Sequence, residues 1–83
     1  MELTSMKNIG SETKRKLTAI GINNAEELSN LGSKETFFRL KAVYPEICLV
    51  HLYTLQGAID NTDFNRLPQN VKNDLKSLSD SMK

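Results

Sequence analysis

Two glycines limit what this sequence can fold into more than any other feature. Glycines stand at positions 10, 21 and 32, eleven residues apart, each preceded by an apolar residue: Ile9, Ile20 and Leu31. Leu17 and Leu28 follow the first two by seven. One long helix with an eleven-residue period would leave Gly21 in its middle, at a cost of about 1 kcal/mol relative to alanine. The stretch Asn23-Asn24-Ala25-Glu26-Glu27 argues instead for a fresh helix start, with Asn24 as N-cap and Glu27 three residues on in an approximate capping box. Gly21 is therefore read as the left-handed residue just past the end of a first helix. In that frame Leu17 and Ile22 occupy the two positions that touch in a Schellman ending, and both are apolar. The second helix then spans about residues 25–31 and stops at Gly32.

The first helix is expected over about residues 11–20, with Thr13, Leu17 and Ile20 on one face and Ser11 as N-cap. Residues 1–7 read as a flexible lead-in, and residues 80–83 as a flexible end. A third helix is expected behind Ser33 as N-cap, through Phe37, Phe38, Leu40 and Lys41 to about Val43. Tyr44-Pro45 breaks it, because the residue before proline avoids helical torsions. Pro45 suits the first position of a fourth helix reaching Asp60. That segment is apolar over most of its circumference, so it belongs in the middle of the fold. Gly57 within it signals close approach of a neighbour. A polar turn with Phe64 follows, and Leu67-Pro68 opens a fifth helix whose Val71, Leu75 and Leu78 share a face. No strand is predicted. The expected fold class is all-α: one five-helix domain over residues 1–83.

Bulk properties narrow the function classes. A chain of 83 residues buries only about 60% of its unfolded surface. The formal charge is +1 and the isoelectric point 7.9, below the value of about 9 usual for a dedicated nucleic-acid binder. Any contact with nucleic acid must rest on a local patch. The single cysteine, Cys48, excludes an intrachain disulfide. No signal peptide or span of bilayer length is recognisable, so a cytoplasmic location, away from membranes, is expected.

Residues 8–32 resemble a helix-hairpin-helix element, and they resemble the start of the C-terminal domain of the RNA polymerase alpha subunit. Both place a Gly-Ile corner between a basic helix and an acidic-capped one. A longer match covers most of the chain. Asn8-Ile9-Gly10, Leu17 through Gly21-Ile22, Glu26-Glu27-Leu28, Leu31-Gly32 and Arg39-Leu40-Lys41 are followed by Pro45, Leu52-Tyr53-Thr54-Leu55-Gln56-Gly57-Ala58, Phe64, Leu67-Pro68 and Lys72 to Leu75. This series resembles the C-terminal domain of the TfoX/Sxy competence-regulator family. Phe64 stands where the family pattern has tryptophan, and the regulators' separate N-terminal domain is not among these 83 residues. The resemblance implies a helix-hairpin-helix or SAM-like arrangement of five helices and a link to transcription and DNA uptake. It implies no chemical activity.

The candidate interface is a grip on the phosphate backbone of double-stranded DNA, independent of sequence. Helix N-termini bind anions through unpaired N–H groups. Gly10 with Ser11 ahead of the first helix is one such place, and Gly21 with Asn23 and Asn24 ahead of the second is another. Lys7, Lys14, Arg15 and Lys16 supply charge, and each phosphate contact would add salt-sensitive affinity. The alternative is that Gly10 and Gly21 are simple caps and that Lys14, Arg15 and Lys16 form a solvated face. Glu26 and Glu27 repel a second phosphate, and Asn23 stands where a typical hairpin has another glycine.

Other features are weaker. Cys48 and His51 lie one helical turn apart, but zinc sites usually need four ligands, and a nucleophilic role lacks an orienting group. A buried cysteine and a partly exposed histidine are expected instead. Asp60 and Asp63 read as loop solvation. The aromatics are assigned mostly to the core, with one of Phe37 and Phe38 exposed. No metal, cofactor, small-molecule substrate or enzymatic activity is expected. Two functions remain open: a DNA-associated accessory or regulatory protein contacting the backbone through the first helix and the Gly21 corner, or an adaptor that docks on a transcription regulator or polymerase subunit without touching DNA.

Overall fold

The computed structural model describes residues 1–82. It holds five α-helices among those residues: α1 Ser11–Ala19, α2 Ala25–Leu31, α3 Ser33–Val43, α4 Leu49–Asp60 and α5 Gln69–Ser81. Two short 3-10 turns accompany them, Leu3–Ser5 ahead of α1 and Phe64–Arg66 between α4 and α5. No strand occurs among the described residues. The radius of gyration is 11.6 Å, close to the value of about 12 Å for a folded chain of this length.

The two reversals form as expected. Gly21 has φ +93° and Gly32 φ +89°. The Ile22 N–H donates to the Leu17 carbonyl at 2.9 Å and the Gly21 N–H to the Thr18 carbonyl at 3.0 Å, the paired bonds of a Schellman ending. Leu17 and Ile22 are both buried. α2 opens with the Glu27 N–H donating to Asn24 Oδ1 at 2.9 Å. The carboxylate of Glu27 returns the bond one residue earlier than a standard box, accepting from the Asn23 N–H at 2.7 Å. Gly32 ends α2 and caps the start of α3 at once.

α4 touches α2, α3, α5 and the second 3-10 turn, and its Leu52, Leu55, Gly57 and Ala58 are buried. Around it pack Leu17, Leu28, Phe37, Leu40, Ile47 and Leu75, all buried in one cluster. Gly57 is where the lead-in crosses the helix. A Cβ there would lie 2.5 Å from Asn8 Nδ2 and 2.5 Å from the Thr62 carbonyl oxygen. Asn8, at φ +69°, donates to that carbonyl at 2.9 Å and accepts from the Phe64 N–H at 3.3 Å. The side chain thus ties the lead-in to the α4–α5 turn over the one α4 residue with no side chain in the way. A second Schellman ending closes α4, with Asn61 in the left-handed position (φ +55°) and the Thr62 N–H donating to the Gly57 carbonyl at 2.8 Å.

Several expectations are corrected. Gly10, not Ser11, is the N-cap of α1, and Ser33 is the first residue of α3 rather than its cap. The Ser33 hydroxyl is instead buried against Gln56 of α4. Helix α4 begins at Leu49, not at Pro45, which lies in a turn. Ile47 must enter the core, so the chain runs irregularly through it: its N–H donates to the Tyr44 carbonyl at 3.0 Å and its carbonyl accepts from Lys41 Nζ at 2.9 Å. The helix starts where His51 Nδ1 accepts from the Cys48 N–H at 3.0 Å. Cys48 is exposed rather than buried, as an N-cap position outside the core requires. The lead-in is no loose tail: Leu3 and Met6 are core residues, and the Ala25 N–H donates to the Met1 carbonyl at 2.9 Å. Of the expected flexible end, Asp80 and Ser81 belong to α5, and position 83 lies outside the described residues.

Candidate nucleic-acid interface

The first turn of α1 is the more open of the two expected anion sites. Gly10 caps it in an extended conformation, φ −98°, with no side-chain bond to the first-turn N–H groups. A Cβ at Gly10 would meet nothing within 4 Å. Neither torsion nor space requires glycine there, so the position leaves the backbone accessible from solvent. Ser11 sits beside it, exposed.

The cations around α1 are mostly paired. Arg15 grips Glu12 through Nε at 3.3 Å and through a second, very short contact. That bond holds the Glu12 carboxyl below the usual carboxylate range, and Glu12 in turn raises the Arg15 guanidinium. Lys16 reaches Glu46 at 3.4 Å and lies 5.3 Å from the centre of the Tyr44 ring; its side chain is only 15% exposed. Glu46 is held low first by its own backbone N–H and then by Lys16. Lys7 faces Asp63 at 3.7 Å. Lys14 is exposed and has no carboxylate partner among the described residues. Surface pairs of this kind are weak, but they set the local field: four cations share the face with three carboxylates.

The Gly21 corner is occupied by its own chain. Gly21 has the open space and torsion expected. Yet the Asn23 N–H is taken by Glu27, Asn24 Oδ1 by the Glu27 N–H, and Asn23 Nδ2 leans on the Gly21 carbonyl at 3.5 Å. Glu26 binds the terminal ammonium of Met1 through both oxygens, at 2.9 and 3.0 Å, which lowers its carboxyl. The Asn23 N–H and side-chain amide expected to hold a phosphate at this corner are thus bonded within the chain, and Glu26 and Glu27 add negative charge beside them.

Nothing in the sequence marks Glu46, Tyr44 or Asp63 as partners of the basic residues. They come from the α3–α4 and α4–α5 connections, far along the chain, and no local pattern announces them. Which phenylalanine faces out is also decided by packing. Phe37 is fully buried, whereas Phe38 is 59% exposed; Val43 at the end of α3 is 56% exposed. Phe38, Ala42 and Val43 share the outward side of α3 with Lys34, Glu35 and Arg39. Asp60 accepts from Gln56 at 2.9 Å, and Asp63 pairs with Lys7 and Arg66, so neither is arranged as a cation loop. No group of three or more histidine, cysteine or acidic side chains converges among the described residues. Among them no helix is long and apolar enough to cross a membrane.

Residues 1–78 match the family model of the TfoX C-terminal domain. The chain belongs to this family. Two crystal structures from Listeria monocytogenes are similar to this TfoX C-terminal domain. An uncharacterized protein in a triclinic crystal form superposes with a TM-score of 0.96 at 32% identity, over 99% of this chain and 93% of that one. A protein of unknown function in a tetragonal form gives 0.95 at 32% identity, over 99% of this chain and 100% of that one. No curated protein sequence matches. In this TfoX C-terminal domain the family-pattern residues Asn8, Gly21, Ile22, Gly32 and Gly57 all have structural roles: a tether, three parts of the two reversals and a crossing point.

Proposed function

We propose that this TfoX C-terminal domain is a non-enzymatic regulatory adaptor that docks on a transcription regulator or polymerase subunit in the cytoplasm. One observation carries the reading: the outward face of α3 presents Phe38, more than half exposed, with Ala42 one turn further on. A large aromatic held in solvent on a rigid helix, ringed by charged residues, is the composition of a protein-docking anchor. The basic face of α1, by contrast, is interleaved with carboxylates, and the α2 start is filled by Glu26 and Glu27. The family's link to transcription and competence supplies the class of partner.

A second reading keeps DNA. It is favoured by Gly10, where the fold imposes no need for glycine and the first-turn N–H groups of α1 have no side-chain cap, with the unpaired Lys14 nearby. Backbone contact there would be non-specific and would involve Ser11, Lys14, Arg15 and Lys16.

Two titrations separate the readings. Labelled duplex is added at low and moderate salt to the wild-type protein and to a variant with Lys14, Arg15 and Lys16 changed to Glu. Purified polymerase alpha subunit and transcription regulators are titrated against wild type and Phe38→Glu. The adaptor reading expects no duplex binding and protein binding that Phe38→Glu abolishes. Duplex binding that falls steeply with salt and is lost in the triple variant would replace it with the DNA reading.

A further inference from the structure

A cavity of about 150 Å³ opens between α1 and α4, apart from the α3 face. Its apolar lining is Leu40, Ile47 and Leu55, all buried core residues. A space of this size between aliphatic side chains accommodates a molecule as large as benzene. Its polar wall divides into groups already bonded and groups that are not.

Asn8 and Thr54 are satisfied. The Asn8 amide is bonded to Thr62 and Phe64, and the Thr54 hydroxyl donates to the Val50 carbonyl at 3.0 Å. Glu12, also in the lining, is held by Arg15. The remaining groups are donors. His51 accepts from the Cys48 N–H through Nδ1, so the neutral ring carries its proton on Nε2. That edge has no partner among the described residues, and neither does the half-buried Thr13 hydroxyl. Lys16 brings an ammonium whose one carboxylate partner, Glu46, stands at 3.4 Å. An apolar floor under two unpartnered donors and an ammonium paired on one side selects a ligand with an acceptor head and a short hydrocarbon body.

We infer that the α1–α4 cavity binds a small aliphatic monocarboxylate, its carboxylate on Thr13, Lys16 and His51 and its branched tail on Leu40, Ile47 and Leu55. Such a ligand makes the domain an effector-responsive module, because binding to the folded state alone stabilises it in proportion to occupancy.

The test titrates isovalerate into isotope-labelled protein and follows backbone amide shifts. Saturable shifts confined to residues around Thr13, Lys16, His51 and Thr54 are expected, with acetate and inorganic phosphate at least about tenfold weaker and isoamylamine without effect. Thr54→Leu, which fills the cavity, should abolish the response with the rest of the spectrum intact. Thr13→Val, at the rim and tolerant of folding, should weaken it about tenfold. Three results would overturn the assignment: no saturation by tens of millimolar isovalerate, acetate or phosphate binding as tightly as isovalerate, or shifts that Thr13→Val leaves unchanged.

Discussion

Replacing Gly57 by alanine should destabilise the domain, although alanine is the better helix former by about 1 kcal/mol. The new Cβ would lie 2.5 Å from the Thr62 carbonyl oxygen and 2.5 Å from Asn8 Nδ2, with the Phe64 Cα at 3.4 Å. Asn8 can rotate away. The Thr62 carbonyl is backbone, fixed by the left-handed Asn61 and by the 2.8 Å bond from the Thr62 N–H to the Gly57 carbonyl. Relief therefore needs the turn to move and the Asn8 tether to break. Two hydrogen bonds at about 1 kcal/mol each, with overpacking of about 1–3 kcal/mol, exceed the propensity gain. The net loss is about 2–4 kcal/mol, which for a domain of this size lowers Tm by roughly 10–20 °C. Urea denaturation followed by far-ultraviolet circular dichroism measures it, with an unchanged m-value as the check that only stability has moved. Asn8→Ala in the same background removes one of the two clashes, so the double variant should lose less than the sum of the single losses. A Gly57→Ala protein as stable as wild type, with Asn8 and Thr62 resonances in place, would refute the crossing argument.

Other consequences are simpler. Thr36 is fully buried and its Oγ1 has no hydrogen-bond partner among the described residues, so Thr36→Val should stabilise the domain by about 1–2 kcal/mol in the same urea assay; a loss of that size would mean the hydroxyl is bonded. Gly21→Ala puts a Cβ at φ +93° with no steric neighbour, and torsional strain alone should cost about 1–2 kcal/mol; a neutral effect in thermal unfolding would contradict the left-handed corner. Glu12, Glu26 and Glu46 all titrate below the reference value of 4.5 when folded. Their contribution is therefore complete above that value and is lost as pH falls through the lowered values. A stability curve flat from neutrality to about pH 5 and declining below pH 4.5 is expected, with a shallower decline in Glu12→Gln; a decline that begins at neutrality would contradict it.

The features legible in the residues alone are local ones. The Leu17–Gly21–Ile22 and Asn24–Glu27 patterns encode hydrogen bonds that close within six residues, so they form in the same way whatever packs around them, and both helix ends fall where the residues place them. The apolar α4 segment likewise had only the interior to occupy. Everything that depends on which distant residues meet was settled by packing. Pro45 is compatible with a helix start, but Ile47 gains more by entering the core, and the start moves to Leu49. Ser33 is a good cap by composition, yet Gln56 takes its hydroxyl. Leu3 and Met6 carry no periodic signal in so short a stretch, and they are ordered by the apolar surface that α1 and α4 leave for them. The basic run from Lys14 to Lys16 is legible as a charged patch, but the carboxylates and the ring set around it are not. Glu46 and Tyr44 reach Lys16, and Asp63 reaches Lys7, through distant chain connections, because charge is felt across space and not along sequence.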